Sequence, residues 1–386
     1  MSSSSILDGK SIVFAGGGTG GHLLPGMAVA AELASRGDCR ISFVGTNRPV
    51  EQQIIARSGY EHIDLPTYPL KTMFRNPFRF FVNNFRAYWK GRTWLRENDP
   101  ALVIGLGGMA SVPVIMEASL MNLPIVLLEQ NIVCGKANHF LLGRADVICS
   151  SFPDTIWSSS QIAAGQKPRV VVTGNPVRTK IRQLAESANQ IQSDHVDDEF
   201  VILVLGGSQG ALAVNSAVIS LLERSLDQLP ETIQVVHQTG ENDFSRLEKA
   251  YEKIWNSVPR LKVTVKPFFE DLSEWYARAH LVISRAGATT LAELACAGCP
   301  TILIPYPGSV NEHQLLNARY LAEHGAAVIV EQCSEPEQTA RQLQEAVFKL
   351  VFDAGQRVQM AARMRQLANP DAANRVADEI MALIPA

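Results

Sequence analysis

Residues 11–22 read SIVFAGGGTGGH, and residues 200–211 read FVILVLGGSQGA. In both stretches a continuous apolar run leads into a glycine-rich turn, and a helical pattern follows the turn. Such runs are typical of strands that are buried on both faces of a parallel sheet. Because this opening occurs twice, about 190 residues apart, the sequence predicts an α/β fold with two similar Rossmann-like, doubly wound domains.

Shorter apolar runs continue the alternation of strands and helices after each opening. The strands that they predict cover residues 41–44, 102–106, 125–128, 147–149 and 170–173 in the first half, and 233–237, 263–266, 281–284, 301–304 and 327–330 in the second. Since proline favours the start of a helix and glycine its end, the first helix is predicted to run from Pro25 to Arg36. Three helical patterns close the chain, the last of them over residues 371–383.

A polar stretch, residues 186–199, marks the boundary between the halves because it carries no apolar periodicity. We therefore predict a first domain over residues 1–185, a linker over 186–199, a second domain over 200–365 and a C-terminal helix over 366–386 that packs back on the first domain. Two such domains facing one another across a cleft would place both glycine-rich turns along it. That arrangement suits an enzyme that joins two substrates, one from each domain.

Composition excludes several classes of protein. The 386 residues contain 35 Lys and Arg against 38 Asp and Glu, a formal net charge of -3, which argues against a general nucleic-acid binder. No apolar run approaches the roughly 18–20 residues that span a bilayer, and the Ser-rich start lacks the features of a secretory signal. The pair Cys296 and Cys299 follows a helical run instead of opening one, so we predict inert thiols and no redox or metal site.

The first glycine-rich turn, residues 16–21, is predicted to bind phosphate, since backbone N–H groups at a helix N-terminus attract anions. Its spacing also satisfies the G-x-G-x-x-G pattern of dinucleotide-binding proteins. The next strand, however, ends in residues 44–47 (VGTN) without the acidic residue that would hold a ribose. An NAD-dependent oxidoreductase is therefore disfavoured, and a purely structural tight turn remains an alternative. His22, next to the turn, is either a general base with a neutral imidazole or an ordinary packed histidine.

The second glycine-rich turn, residues 206–210, is predicted to hold a diphosphate, and it lacks the G-K-[ST] sequence of a P-loop. A third turn, within residues 284–293, opens another helix. Glu293, one turn inside that helix, could accept both hydroxyl groups of a ribose. Alternatively, Thr289 and Thr290 cap the helix and Glu293 is an exposed helical residue.

Polar side chains at residues 129–131, 175–178 and 311–314 also follow predicted strands, at the positions where doubly wound sheets bind ligands. No D-x-D sequence, the carboxylate pair that usually holds a metal beneath a sugar nucleotide, occurs in the chain. We therefore predict no metal and no cofactor, with helix dipoles and the Ser208 hydroxyl stabilising the diphosphate.

Residues 71–96 combine seven basic side chains with eight aromatic ones and contain no acidic residue. Basic and aromatic residues on an amphipathic helix are typical of proteins that bind an anionic bilayer surface. The residues expected to contact the membrane are Phe74, Arg75, Phe78, Arg79, Phe81, Arg86 and Trp89. Two alternatives remain: the aromatic side chains face the core beside solvated arginines, or they stack on the bases of a nucleic acid.

In their order along the chain, these motifs resemble those of glycosyltransferase family 28. The resemblance is carried by GGGTGGH at 16–22, LEQN at 128–131, GNPVR at 174–178, GGSQGA at 206–211, SRAGATTLAE at 284–293 and HQLLNA at 313–318. It covers nearly the whole chain and implies the GT-B fold. It also implies an inverting, metal-independent transfer of N-acetylglucosamine from UDP-N-acetylglucosamine to the muramyl-pentapeptide of lipid I, which gives lipid II for peptidoglycan synthesis.

The resemblance also implies roles for individual residues. His22 would be the catalytic base, Phe269 would lie beside the uracil, Glu293 would hold the ribose and Gln314 the sugar hydroxyl groups. The acceptor's diphosphate would be met by Gly17, Gly18 and Thr19. The remaining donor-binding residues would be Thr19, Gly20, Gly21, Asn131, Arg178, Ser208, Ala288, Thr289, Thr290, Leu291 and Ala292.

The implied partners are UDP-N-acetylglucosamine, lipid I and the anionic inner leaflet, with the protein peripheral on the cytoplasmic face of the inner membrane and no nucleic acid bound. Three positions depart from the family pattern, since Met109 replaces a common Tyr, Leu128 a His and Asn311 an Asp. Two alternative activities remain. One is a related transferase with another lipid acceptor, such as diacylglycerol, and the other is a UDP-N-acetylglucosamine epimerase of the same fold, which would need no acceptor.

Overall fold

The chain forms two compact units. The structure, a computed structural model, describes residues 5–46, 48–68, 71–157, 168–191, 199–207, 210–258, 261–309 and 312–384. One unit comprises Met1–Arg178 and Asn369–Ala386, and the other comprises Thr179–Ala368. The helix that begins at Thr179 therefore belongs to the second unit, although the sequence placed residues up to 185 in the first domain.

The first unit is built on a seven-stranded sheet. Its strands are β1 (Ser11–Gly16), β2 (Arg40–Gly45), β3 (Glu61–Asp64), β4 (Leu102–Gly107), β5 (Ile125–Glu129), β6 (Val147–Ser150) and β7 (Arg169–Val172). Its helices are α1 (Gly20–Arg36), α2 (Pro49–Ser58), α3 (Lys71–Arg75), α4 (Pro77–Asn98), α5 (Ser111–Leu120), α6 (Lys136–Leu141) and, at the end of the chain, α15 (Ala372–Met381). The strand order is β3-β2-β1-β4-β5-β6-β7, with parallel pairing throughout.

The second unit is built on a six-stranded sheet. Its strands are β8 (Phe200–Leu205), β9 (Ile233–Gln238), β10 (Leu261–Lys266), β11 (Leu281–Ser284), β12 (Thr301–Leu303) and β13 (Ala327–Ile329). Its helices are α7 (Thr179–Ile191), α8 (Leu212–Ser225), α9 (Phe244–Ser257), α10 (Ser273–Arg278), α11 (Ala288–Ala297), α12 (His313–Glu323), α13 (Pro336–Phe352) and α14 (Ala354–Gln366). The order β10-β9-β8-β11-β12-β13 is again parallel.

Both sheets reverse their strand order next to the first strand of the unit, between β1 and β4 and between β8 and β11. Doubly wound sheets bind ligands at the carboxyl ends of the strands at this point. The glycine-rich turns after β1 and β8 lie there. The predicted α/β fold with two Rossmann-like, doubly wound domains is confirmed.

The continuous apolar character of β1 follows from burial on both faces of the sheet. Ile12 and Phe14 pack into one core cluster with α1 and α15, whereas Val13 and Ala15 pack into a second cluster with α4 and α5. Alternate residues of a strand point to opposite faces, so both sets must be apolar when helices cover both sides.

One prediction about the first unit is wrong, and one strand was missed. The first helix begins at Gly20 and not at Pro25, because Thr19 is its N-cap and two glycines follow it. Pro25 is tolerated since its missing N–H deprives only the carbonyl of Gly21 of its helical partner. Strand β3 was not predicted, because its sequence EHID has no apolar run; it is an edge strand that pairs with β2.

The end of the chain returns to the first unit as α15. Val376, Ala377 and Ile380 are fully buried in the cluster that contains Phe14. An ion pair of 2.5 Å joins Arg36 on α1 to Asp378 on α15. None of the described helices is long and apolar enough to cross a membrane.

Candidate active site

The turn after β1 has a backbone that requires glycine. Gly16, Gly17 and Gly18 have φ angles of 138°, 142° and 91°, a region that residues with side chains rarely adopt. Gly16 also has no room for a side chain, since a Cβ there would lie 2.5 Å from the carbonyl oxygen of Gly107. The N–H of Gly17 donates to that same oxygen over 3.4 Å. The glycines thus bring the turn against the end of β4.

Two side chains from the segment after β2 hold the peptide groups of Gly18. Its N–H donates to Oε1 of Glu51, and its carbonyl oxygen accepts from the guanidinium of Arg48 over 2.6 Å. Glu51 is 1% exposed, and its other oxygen accepts the N–H of Thr46 at 2.8 Å together with the Thr46 hydroxyl. Sequence reasoning missed Glu51, because an acidic residue in the first turn of a helix is ordinary.

His22 lies in the first turn of α1 and faces the turn after β4. Its Nδ1 is 3.3 Å from the hydroxyl of Thr19, and a Cβ on Gly107 would stand 3.4 Å from its Cδ2. Burial lowers the pKa of the imidazole below its usual value, although Glu129, a backbone hydrogen bond and Glu51 oppose this effect. His22 is therefore neutral at neutral pH, which is the protonation state that a general base needs.

The residues after β5 form a loop around the carboxylate of Glu129. This carboxylate is 1% exposed and accepts the N–H of Asn131 at 3.0 Å, the N–H of Gly135 at 2.9 Å and the amide of Asn138 at 2.9 Å. The Asn138 amide also donates to the carbonyl of Leu128, while its Oδ1 is buried without a partner among the described atoms. Glu129 thus organises the loop that carries the predicted ligand Asn131.

The GNPVR segment ends the first unit. Arg178, its last residue and a predicted donor ligand, is partly buried. Asn175 is 5% exposed, and neither polar atom of its amide has a partner among the described atoms. Because an unpaired buried amide costs about 1–3 kcal/mol, a ligand or an ordered water at Asn175 would be stabilising.

The turn after β8 is described only in part, and the predicted diphosphate ligand Ser208 lies outside the described residues. Gln238, at the end of β9, joins this turn to the loop after β10. Its amide donates to the carbonyl of Gly207 at 3.2 Å and accepts the N–H of Phe269 at 3.0 Å. The Phe269 ring, expected beside the uracil, is 5% exposed and lies 5.4 Å from the ammonium of Lys266. Protein therefore encloses most of this ring.

The third turn leads directly into α11. Gly287 is the N-cap, so the alternative in which Thr289 and Thr290 cap the helix is wrong. Glu293 is 4% exposed and accepts the hydroxyl of Tyr276 at 3.1 Å, so it is no exposed helical residue either. Among the neighbouring predicted donor ligands, three are buried and two are partly buried: Ala288, Thr289 and Leu291, then Thr290 and Ala292. A buried carboxylate inside this helix is well suited to accept hydroxyl groups.

Arg285 and Gln314 order the loop after β12. Arg285 is 9% exposed and donates to the carbonyl of Ile304 at 2.9 Å and to the amide oxygen of Gln332 at 2.7 Å. Burial lowers the pKa of Arg285 to about 10, which leaves it charged at neutral pH. The side-chain oxygen of Gln314, predicted to bind sugar, accepts the N–H of Tyr306 at 3.0 Å. Sequence reasoning did not single out Arg285.

The cysteine pair ends α11, as the sequence predicted, with Gly298 as a left-handed C-cap. Cys296 and Cys299 are free and buried, and burial raises the pKa of Cys299 to about 12, so it stays a thiol. Among the described residues, no group of three or more His, Cys, Asp or Glu side chains could hold a metal ion.

The basic and aromatic segment forms α3 and α4. One stripe of α4 faces the core through Phe80, Ala87, Gly91 and Leu95. Five aromatic side chains lie outside, between 46% and 83% exposed; we call them the aromatic surface: Phe74, Phe78, Phe81, Phe85 and Trp89. The neighbouring predicted membrane contacts are also exposed, namely Arg75, Arg79 and Arg86. The alternative in which the aromatic side chains face the core is therefore wrong for these five and right for Phe80, which is buried, and for Trp94, which packs against a core cluster.

The C-terminal half of α4 is tied to the first unit. Glu117 on α5 has a fully buried side chain. Its carboxylate accepts hydrogen bonds from Nε–H of Arg96 at 2.8 Å and from the hydroxyl of Tyr88 at 2.9 Å. Lys90 pairs with Asp64 at 3.3 Å. Lys90 and Arg96 are thus exposed side chains whose charges are paired with acidic residues of the first unit.

Two family models match the chain: the glycosyltransferase family 28 N-terminal domain over residues 12–150 and its C-terminal domain over residues 201–376. A protein from Syntrophotalea carbinolica is 35% identical over 369 residues, which cover 95% of this chain and 96% of the relative. Its name is UDP-N-acetylglucosamine–N-acetylmuramyl-(pentapeptide) pyrophosphoryl-undecaprenol N-acetylglucosamine transferase. The chain belongs to glycosyltransferase family 28.

Solved structures agree with the family 28 assignment. The crystal structure of Acinetobacter baumannii MurG is 29% identical, with a TM-score of 0.72 over 97% of this chain and 99% of that one. A UDP-N-acetylglucosamine 2-epimerase from Neisseria meningitidis, bound to UDP-N-acetylglucosamine, has a TM-score of 0.66 over 96% of this chain and 99% of its own. At 16% identity, that likeness shows the fold alone. The GT-B fold class, the family resemblance and the glycosyltransferase class predicted from the sequence are confirmed.

The positions at which this family 28 member departs from its family pattern lie in different surroundings. Met109 is partly buried and follows Gly107 and Gly108, the turn that His22 faces. Leu128 is 2% exposed in β5, and its side chain belongs to the core cluster of Phe14. Asn311 lies outside the described residues.

Proposed function

We propose that this chain transfers N-acetylglucosamine from UDP-N-acetylglucosamine to the muramyl-pentapeptide of lipid I, which gives lipid II for peptidoglycan synthesis. The observation that carries the proposal is membership of family 28 over nearly the whole chain. Relatives from Syntrophotalea carbinolica and Anaeromyxobacter dehalogenans, at 35% and 37% identity, both carry the name of this transferase. The neutral imidazole of His22 at a phosphate-type turn supports the same chemistry.

In this mechanism His22 removes the proton from the acceptor hydroxyl as its oxygen attacks the anomeric carbon of the donor. The new glycosidic bond forms while the bond from that carbon to the phosphate oxygen breaks, so the configuration inverts and UDP leaves with the electron pair. If Thr19 accepts the Nδ1–H of His22, Nε2 carries the lone pair that takes the proton. The histidine then needs no metal to act as the base.

The donor is proposed to bind the second unit. Buried Glu293 would accept the ribose hydroxyl groups, and Gln314 would meet the sugar. The leaving diphosphate would lie at the N-terminus of α11, where the helix dipole favours negative charge. The buried, charged guanidinium of Arg285 at the same strand end adds to this positive potential. These groups would stabilise the departing UDP without a metal ion.

The acceptor's diphosphate is proposed to meet Gly17, Gly18 and Thr19 in the first unit. The N–H groups of Gly17 and Gly18 already donate to protein oxygens, so they serve this contact through their missing side chains, which allow close approach. The hydrogen bonds would then come from Thr19 and the start of α1.

We further propose that the aromatic surface and its arginines dock on the anionic inner leaflet of the cytoplasmic membrane. Aromatic rings bury apolar area at the headgroup level, and each nearby basic side chain adds about 1 kcal/mol on an anionic surface. Arg75, Arg79 and Arg86 are exposed beside these rings. A lipid-linked acceptor at the membrane surface would thereby come within reach of a peripheral enzyme.

Transfer is tested by incubating the full chain with UDP-N-acetylglucosamine and a lipid I analogue, with EDTA in one series and Mg²⁺ in another. We expect UDP release that requires the lipid I analogue and is equal in both series. No UDP release in either series would refute the transfer. UDP release in the Mg²⁺ series alone would refute metal independence. Diacylglycerol as the acceptor and the donor alone are the comparison reactions. Turnover with diacylglycerol only would identify another transferase, and donor conversion without an acceptor would identify an epimerase.

Membrane docking is tested by sedimentation with vesicles that contain anionic phospholipid. Replacing Arg75, Arg79 and Arg86 by Glu should weaken binding at least tenfold and leave UDP binding intact. The matched control replaces three exposed arginines of the second unit, Arg319, Arg341 and Arg363, by Glu. Equal loss in both variants would mean that net charge alone matters, and unchanged binding in the first variant would refute the proposed surface.

A further inference from the structure

Glu51 is a buried carboxylate whose hydrogen bonds go to the segments around the glycine-rich turn. It lies in the first turn of α2, 33 residues after Gly18, and its Oε1 accepts the Gly18 N–H while its Oε2 accepts from Thr46. A Cβ on Gly17 would collide with the same carboxylate. The turn therefore wraps around Glu51 at a spacing that only glycine permits.

The conformation of this turn has no support from side chains of its own. Gly16, Gly17 and Gly18 carry none, and their positive φ angles belong to the region that glycine alone enters easily. Such a segment loses more conformational entropy on folding than others do, so it needs external partners to hold one conformation. A hydrogen bond from a backbone N–H to an ionised carboxylate is roughly twice as strong as one between neutral groups.

The peptide that Glu51 holds leads directly to the proposed base. Thr19 follows Gly18, begins α1 as its N-cap and places its hydroxyl 3.3 Å from Nδ1 of His22. A shift of Gly18 therefore moves Thr19 and the first turn of α1 that carries the imidazole. The negative charge of Glu51 also favours the protonated form of His22, in the same sense as Glu129 on β5.

Other polar groups face this carboxylate and must be considered with it. Nε2 of His62 on β3 and Oε1 of Glu51 lie 3.4 Å and 3.5 Å from the point where a Cβ on Gly45 would stand. The His62 nitrogen is buried without a hydrogen-bond partner among the described atoms. The guanidinium of Arg48 donates to the Gly18 carbonyl. Glu51 thus lies between a histidine, an arginine and the turn.

We propose that Glu51 is a positioning residue for the transfer reaction, which fixes the glycine-rich turn and with it the place of His22. The inference rests on the proposed function insofar as His22 is the base. Glu51 acts through Gly18 and Thr19 and touches no substrate. Two properties of His22 depend on different features of Glu51. The position of His22 depends on the length of the Glu51 side chain, and the proton affinity of His22 depends on the charge of the Glu51 carboxylate.

Two variants separate these properties in the lipid I assay. Glu51→Gln keeps the length and removes the charge, so kcat should fall about 10- to 100-fold and the acid limb of the kcat profile should move to lower pH. Glu51→Asp keeps the charge and retracts the carboxylate by one methylene, so kcat should fall while the limb stays in place. The donor KM should change less than kcat in both variants, since Glu293 and Gln314, which would hold the ribose and the sugar, belong to the second unit.

The matched control is Glu61→Gln, the same substitution on an exposed carboxylate of β3 that accepts the Ser42 hydroxyl at 2.8 Å. It should leave kcat and the pH profile unchanged. His62→Gln tests the neighbouring histidine separately. If Glu51→Gln lowers only the melting temperature and leaves the acid limb in place, Glu51 is a stabilising residue and the proposal is overturned. A kcat within twofold of the unsubstituted chain overturns it as well.

A measurement without substrates keeps this inference apart from the proposed function. The ring resonances of His22 are assigned in histidine-labelled protein by their loss in His22→Gln and are then followed against pH. In Glu51→Gln they should titrate at lower pH than in the unsubstituted chain. An unchanged titration refutes the effect of Glu51 even if transfer is confirmed. A shifted titration without any UDP release would support that effect while refuting the transfer.

Discussion

His22 and His237 are both histidines whose pKa is lowered by burial, but their surroundings give them different roles. His237 is fully buried, with Nδ1 2.7 Å from the hydroxyl of Tyr251 and Nε2 3.0 Å from Oδ1 of Asn215. Both of its nitrogens are thus used by the protein core. His22 is partly exposed at the strand ends where the sheet reverses, beside Thr19. Only His22 is placed to exchange a proton with a ligand.

Replacing His22 by Ala should remove the base and little else. We expect kcat to fall about 10²- to 10⁴-fold, the usual contribution of general base catalysis, while the donor KM changes less than about threefold. Initial rates over a range of UDP-N-acetylglucosamine concentrations would measure both. The control is His324→Ala, an exposed histidine on the second unit. Equal losses in kcat and in donor affinity would assign His22 to binding instead.

His237 should make the stability of the second unit depend on pH. Burial lowers its pKa to about 3, with Asp243 opposing this and Arg246 adding to it. Between pH 6.5 and 3 the unfolded chain binds a proton that the folded chain does not. Stability is therefore complete above pH 6.5 and falls as the pH decreases, by at most about 1.4 kcal/mol per pH unit.

The measurement is the free energy of unfolding in urea at pH 7.5, 6.5 and 5.5 for the unsubstituted chain and for His237→Gln. The variant loses two buried hydrogen bonds and is less stable at pH 7.5, but the difference should shrink as the pH falls. His324→Gln serves as the control with an exposed histidine. A difference that stays constant over this range would contradict the prediction.

At the scale of an element, α4 packs on the core with one stripe of its surface and exposes aromatic rings to solvent with another. Phe80, Ala87 and Leu95 are buried, whereas Phe78 and Phe81 are 80% and 63% exposed. A helix with apolar residues on both sides is not held in place by its hydrophobic pattern alone. The polar contacts of its C-terminal half with Glu117 therefore matter for its orientation.

Glu117→Gln should weaken the attachment of α4 to α5, although Gln has almost the same shape as Glu. The pKa of Glu117 is lowered in the folded chain: burial raises it, but hydrogen bonds from Arg96 and Tyr88 and the charges of Arg92 and Arg96 outweigh burial. We expect a loss of about 1.5–3 kcal/mol at neutral pH, the usual value of a hydrogen bond to a charged group. Because the folded pKa is depressed, this contribution is present above the unfolded pKa and is lost as the pH falls through the folded one.

Urea unfolding of the unsubstituted chain, of Glu117→Gln and of the neighbouring control Glu97→Gln would measure this loss. Glu97 is exposed on α4, so its substitution should change stability by less than about 0.5 kcal/mol. A Glu117→Gln variant as stable as the control would mean that packing alone fixes α4.

At the scale of the whole molecule, the chain crosses between its units twice. It leaves the first unit at Arg178 and returns at Asn369 to contribute α15 to the core behind β1. Ile380 is fully buried there, and Arg169 on β7 forms an ion pair with Glu379. The first unit therefore needs a segment that the chain supplies last.

Ending the chain at Ala368 should destabilise the first unit and leave UDP binding by the second unit intact. Because the truncation removes a whole helix from the core, Ile380→Ala provides a milder variant, for which we expect a loss of about 2–5 kcal/mol from the cavity. Unfolding in urea and UDP titration calorimetry are the measurements, and Arg375→Ala on the exposed side of α15 is the control. An Ile380→Ala variant as stable as this control would contradict the packing.

Sequence patterns predicted the elements better than the contacts between them. Continuous apolar runs identified β1 and β8, because strands covered on both faces must be apolar at every position. The pattern missed β3, an edge strand with the polar sequence EHID, and it misplaced the start of α1 at Pro25, since Thr19 caps the helix earlier. The edge strand β3 is decided by its pairing with β2, whereas the start of α1 was misplaced because proline is typical of the first turn of a helix.

The residues of the candidate site also fall into those that the sequence could identify and those that only the structure revealed. Its glycines, His22 and Glu293 could be found because the motif itself contains them. Gln238 could not, since an amide at a strand end is ordinary until its partners are known. Arg285 stands within the third motif, but the motif does not reveal that its guanidinium is buried and donates to the carbonyl of Ile304. Likewise the exposure of the aromatic surface became clear only when one stripe of α4 was seen to pack on the core.

The sequence by itself determined two Rossmann-like domains, two glycine-rich turns and membership of a family, because apolar periodicity and motif spacing are local properties of the chain. Only the tertiary structure decided which side chains hold those turns. Glu51 reaches Gly18 across 33 residues, and Gln238 reaches Phe269 across 31. Hydrogen bonds between distant segments depend on how strands and helices pack, and packing is a property of the whole fold that no local pattern encodes.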